Sequence, residues 1–140
     1  MNHSSLNSIL ISLTPGLFMV LVGLIVKYLP TKYPNIWLGY RTFTSIKNED
    51  TWKEGNAFAG MILIKIGIIN FIAFAIIGYI FQNTSYTFWD TNPKAIPMSM
   101  GLSLIVLLAC IILSIILTES HLNKFFDKEG KRKNSINNPF

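Results

Sequence analysis

Three long apolar stretches decide what this chain can become. They run Ser8–Leu29 (22 residues), Ala57–Phe81 (25 residues) and Ile96–Thr118 (23 residues), 70 of 140 residues in all, and their only charges are Lys27 and Lys65. Each matches the ~20 apolar residues, at ~1.5 Å rise, that cross a ~30 Å hydrocarbon core as a helix. A soluble domain of this size has too little interior to bury three such rods. The sequence therefore predicts an all-α integral membrane protein with three transmembrane helices, over about 8–29, 49–81 and 96–118. Residues 1–127 read as one three-helix membrane domain and 128–140 as a polar, basic, mobile tail.

The distribution of Lys and Arg sets the orientation, because cytoplasmic segments carry the excess. No Lys or Arg precedes the first stretch. The first loop holds four beside Lys27, the second loop only Lys94, and the C-terminal segment Lys124, Lys128, Lys131, Arg132 and Lys133. The tally of ten against one places the N-terminus outside and the C-terminus in the cytoplasm. The missing basic residues at the N-terminus also argue against a secretory signal, so the first helix is expected to be retained. Tyr28, Tyr33, Trp37, Tyr40 and Trp52 flank the expected inner interface, and Tyr79, Tyr86 and Trp89 the outer one. Such rings favour the headgroup layer, and Trp52 reads as an interface anchor.

The net charge of +5 does not signal nucleic-acid binding. Residues Pro30–Asn56 carry four Lys/Arg against three Asp/Glu, and the segment from Glu119 carries five against three. No segment joins base-reading arginines to stacking aromatics. Cys110 is the only cysteine and sits in an apolar stretch, so neither a disulfide nor a thiolate metal site is expected. His3 and His121 fall at opposite ends of the chain, Glu119 with His121 makes a poor metal pair, and no nucleophile–base set occurs. No catalytic activity, metal or cofactor is expected.

Within the helices, Thr14-Pro15-Gly16 predicts a kink or a late start in the first. Gly16 and Gly23 share a face, as do Gly60 and Gly67, which predicts close packing of the first two helices. The pairs Ser99/Ser103 and Cys110/Ser114 read as polar groups bonded back to their own helix. Lys65 lies about 12 Å into the second apolar stretch, and two readings are open for it. Its stem reaches back toward the headgroups, or it faces inward toward Asn70, Glu119 or a ligand.

The densest polar pattern lies in the first loop, residues 30–56. Gly39-Tyr40-Arg41-Thr42 and Ser45 suggest a compact turn at the interface. Asn48 reads as a helix N-cap, with Glu49 and Asp50 in the first turn where the helix dipole favours negative charge. Helix 2 is then predicted from Glu49 to Phe81, about 50 Å long, with Trp52 and Asn56 one turn apart. Asn35 reads as a turn residue. Arg41 has two readings, a forked contact to a phosphate-like headgroup or carboxylate, or a tie to Glu49 and backbone carbonyls that holds the loop together.

Pro34-Asn35, Gly39-Tyr40-Arg41-Thr42, Ser45, Asn48, Glu49, Trp52 and Asn56 together resemble the signature of the SdpI/YfhL family. The resemblance covers roughly Leu21–Ile80 by motif and position and the rest by topology, and the additional N-terminal segments of longer members are lacking. It implies a multi-pass bacterial inner-membrane protein that protects against a secreted, membrane-active peptide toxin. Some members of the family also draw a transcriptional regulator to the membrane. The partners implied are the lipid bilayer, a peptide toxin, a cytoplasmic regulator and, through small-residue faces, further copies of the chain. Two other readings stay open: a small transporter or accessory subunit for lipid or ion movement using Lys65 and Arg41, and a scaffold recruiting a regulator through the first loop and tail.

Overall fold

The computed structural model describes residues 3–29, 33, 37–84 and 95–133. Asn35 of the loop motif, residues 85–94 with Tyr86, Trp89 and Lys94, and tail residues 134–140 lie outside the described residues. The described residues form three helices, α1 (His3–Tyr28), α2 (Glu49–Thr84) and α3 (Ala95–Phe125). The only extended pairing among them is an isolated antiparallel bridge between Phe126 and Arg132. Two stretches, Glu49–Ile80 and Gly101–Phe125, are long and apolar enough to cross a membrane, and α1 adds a shorter apolar stretch, Leu13–Tyr28.

Helix α1 starts at His3, upstream of Thr14-Pro15-Gly16, so the triplet lies inside the helix and does not delay its start. Proline removes one helix N–H. Thr14 Oγ1 donates to the Leu10 carbonyl at 3.1 Å beside that gap, the kind of local bond that lets a membrane helix carry proline. Helix α2 starts where Asn48 caps it. Asn48 Oδ1 accepts from the Thr51 N–H at 2.9 Å, while the Asn48 N–H donates to Thr51 Oγ1 at 3.1 Å. This reciprocal pair satisfies two donors that the helix end leaves open. Helix α3 continues past the expected end at Thr118 to Phe125. Ser114, Thr118 and Leu122 recur every fourth residue on one buried face, so packing carries the helix beyond its apolar stretch.

Helices α1 and α2 meet backbone to backbone through their glycines. A Cβ on Gly16 would lie 2.9 Å from the Gly67 carbonyl oxygen, and one on Gly23 would lie 2.8 Å from that of Gly60. Side chains of any size would push the helices apart, which is why small residues line such contacts in lipid. The outside of the bundle is apolar: Ile69, Ile72 and Ile76 of α2 and Leu104, Ile105 and Leu108 of α3 are exposed. Several polar side chains point the other way, with Asn70, Ser103, Ser114 and Thr118 buried. Ser114 and Thr118 bond back to helix carbonyls, at 2.8 and 2.7 Å to Ile111 and Ser114.

Residues 126–133 depart from the expected mobile tail. The Asp127 carboxylate accepts from the Glu129 and Lys131 N–H groups at 3.0 and 2.7 Å, which turns the chain back on itself. Gly130 at the turn has φ +80°, and its carbonyl accepts from Asn48 Nδ2 at 2.7 Å. The N-cap of α2 is thereby fastened to the segment following α3.

Candidate functional site

The loop motif folds around one carboxylate, Glu119 of α3. Thr42 donates to Glu119 Oε1 through a short hydrogen bond, and the Tyr40 hydroxyl lies 3.1 Å from the same oxygen. Thr44 donates to Oε2 at 2.7 Å. The Tyr40 hydroxyl also lies 3.2 Å from the Ile115 carbonyl, so its single proton is shared between two acceptors. Burial pushes the Tyr40 phenol well above its ordinary value, and the adjacent Glu119 charge adds to the shift. Tyr40 therefore stays a protonated donor throughout the physiological range.

Each other residue of the motif supports this clamp. Ser45, fully buried, donates to the Tyr40 carbonyl at 2.9 Å and accepts from the Thr42 N–H at 2.9 Å. Asn56 bridges the loop to α2: its Oδ1 accepts from the Tyr40 N–H at 2.7 Å, and its Nδ2 donates to the Trp52 carbonyl at 2.8 Å. Gly39 has φ +124°, a conformation open to glycine. A Cβ there would lie 2.7 Å from both Asn56 Oδ1 and the Trp52 ring. The Trp52 ring is not at the interface, as expected of an anchor, but buried at 1% exposure beneath that glycine. Tyr33 packs edge-on against it at 6.2 Å and donates to the Ile46 carbonyl at 2.7 Å.

A second polar cluster lies beside the clamp. His121 Nε2 is 2.9 Å from Glu54 Oε1, and Arg132 Nη2 is 3.1 Å from Glu54 Oε2. The His121 ring stacks on Phe58 at 3.8 Å with 11° between planes. His121 thus pairs with Glu54 and not with Glu119, and no group of three metal-type ligands forms among the described residues.

The structure therefore brings Gly39, Tyr40, Thr42, Ser45, Trp52 and Asn56 together, with Asn48 capping the adjoining helix. It leaves other expected residues outside the clamp. Arg41 is exposed, and Glu49 pairs with Lys53 at 2.7 Å on the α2 surface. Lys65 is exposed and belongs to none of the ion pairs of the described residues. Glu119, one partner considered for it, is taken up by the loop. Asn70, another, is buried with its Oδ1 lacking a hydrogen-bond partner. Sequence reasoning missed Glu119 as the centre, along with Thr44, Thr51 and Glu54. Two signals pointed there: hydroxyl side chains at alternate positions 40, 42 and 44, and a lone acid where the apolar run of α3 ends. Hydroxyls donating to a carboxylate hold and orient it; the set contains no activated nucleophile.

The geometry coincides with a matched region of sequence. The SdpI/YfhL protein family matches residues 31–118, from the loop through α2 and most of α3. The chain is also similar to "Uncharacterized protein YfhL" of Bacillus subtilis (strain 168), 25% identical over 118 residues that cover 84% of this chain and 91% of that protein. No solved structure matches. The clamp-forming loop, the apolar helices and the extent of the match lead to one conclusion: this chain belongs to the SdpI/YfhL family of membrane proteins.

Proposed function

We propose that this protein is a membrane immunity protein that protects its cell against a membrane-active peptide toxin. In this reading it crosses the bacterial cytoplasmic membrane three times, with the N-terminus outside and the C-terminus inside. The observation that carries the reading is family membership across the loop and helices. The glycine-packed α1–α2 pair is a rigid support, α3 is anchored to it through Glu119, and the role is one of binding without catalysis. The test is survival of toxin-sensitive bacteria expressing the protein, with membrane potential followed during exposure to a secreted killing-factor peptide. Protection that disappears in Arg41→Ala at equal membrane expression supports immunity and its dependence on the loop. Failure to protect at any expression level overturns it.

One observation favours a second reading. The Asn48–Gly130 bond joins the first loop to the segment after α3, making one continuous polar surface suited to recruiting a cytoplasmic regulator. A recruiting scaffold loses its function when that surface is altered and keeps it when residues 85–94 are replaced, whether or not toxin is present.

A further inference from the structure

The segment from Tyr40 to Thr44 has two faces. Tyr40, Thr42 and Thr44 all reach Glu119, so the alternate residues Arg41 and Phe43 turn away from α3. Both are exposed, Phe43 at 92%. Trp37, slightly earlier in the loop, is 90% exposed, and Leu38 and Ile46 are exposed too. These large apolar side chains are presented by a loop that its own bonds hold fixed. The loop joins the apolar stretches of α1 and α2, so it lies where hydrocarbon gives way to headgroups, the layer that aromatic rings favour. From Trp37 to Asn48 the loop carries Arg41 and Lys47 and no acidic residue. The one carboxylate touching it, Glu119, is on the opposite face.

We infer that Trp37, Arg41 and Phe43 form a docking surface for an anionic phospholipid of the surrounding bilayer, with the headgroup phosphate on the Arg41 guanidinium. A guanidinium fork matches phosphate oxygens in two parallel bonds. The two rings sit at the glycerol level on either side of that contact. The Glu119 clamp serves this surface as a positioning device: three inward hydroxyls fix the direction of the outward arginine and phenylalanine. Lys47 adds attraction for an anionic headgroup without a forked contact. This inference stands apart from the toxin reading, since it concerns the protein's own membrane.

The test uses the full chain in nanodiscs of phosphatidylcholine with and without phosphatidylglycerol. Lipid retained on release is counted by native mass spectrometry. The wild type is expected to keep phosphatidylglycerol over phosphatidylcholine, and Arg41→Gln to lower that preference about fivefold with an unchanged thermal midpoint. Phe43→Ala is expected to reduce retention of both lipids. Quenching by lipids brominated near the glycerol, compared between wild type and Trp37→Phe, reports the depth of ring 37. Shallow quenching lost with Trp37 supports the surface. Equal retention of the two lipids by the wild type overturns it, as does an Arg41→Gln variant with wild-type preference. Quenching at position 37 only by bromines deep in the acyl chain overturns the placement of the ring.

Discussion

Glu119 engages three hydroxyls with two oxygens, and its partners lie 79, 77 and 75 residues away in the chain. Hydrogen bonds to a charged group contribute about 1.5–3 kcal/mol each and are not additive within a cluster. Glu119→Ala is expected to lower stability by about 3 kcal/mol, read as a drop in the thermal midpoint in detergent micelles. The same variant tests the Tyr40 titration. The folded-state value of Tyr40 is raised above its ordinary 10.0, so its contribution is fully present below pH 10 and fades as pH climbs toward the raised value. In an alkaline titration followed by ultraviolet absorbance, one tyrosine should resist ionisation. Glu119→Ala should bring it part of the way back, because burial remains. This centre was hidden in the sequence for a physical reason. Asn48 announces its role through neighbours three residues away, whereas Glu119 has no local partner that marks it.

At the level of elements, the helices were legible and their ends were less so. The start of α2 is written locally by Asn48, Glu49 and Asp50, and the structure starts the helix at Glu49. The end of α3 is decided by Thr118 and Leu122 packing inward, which hydropathy along the chain does not register. Thr14-Pro15 misled in the other direction, since a side-chain bond keeps α1 intact across the proline. Glycine spacing was the best guide to packing. A Cβ on Gly60 would fall 2.7 Å from the Gly23 carbonyl oxygen and 2.6 Å from Lys27 Cβ, whereas one on Gly101 would meet nothing within 4 Å. Gly60→Ala is therefore expected to cost roughly 1–3 kcal/mol through overpacking. Gly101→Ala should leave the thermal midpoint unchanged or raise it slightly through helix propensity. Equal midpoints for the two variants would contradict the backbone contact.

For the whole molecule, the composition and three apolar stretches announced a helical membrane protein before any geometry was known. The orientation proposed from basic residues has a direct check. With Cys110→Ala as background, Ser5→Cys should react with a membrane-impermeant thiol reagent in intact cells, and Lys133→Cys should react only after the cells are opened. The opposite pattern would reverse the proposed topology. The fold-back of residues 126–133 onto Asn48 was not visible in advance, because it depends on Gly130 at φ +80° and on a bond across the full length of two helices. A polar, charged stretch near a chain end carries no signature of where it docks.

Alternation along Tyr40–Thr44 has a consequence for how the family's vocabulary divides. Inward positions must match the shape and donors of one fixed carboxylate, so a replacement there must preserve a hydroxyl at a given reach. Outward positions answer only to the medium around the protein, and the exposed isoleucines and leucines of α2 and α3 are under the same loose rule. Two chains can therefore spell most of their letters differently and still fold alike, provided they agree on a short grammar: glycine where backbones touch, a hydroxyl where the carboxylate waits, and an asparagine where the second helix begins.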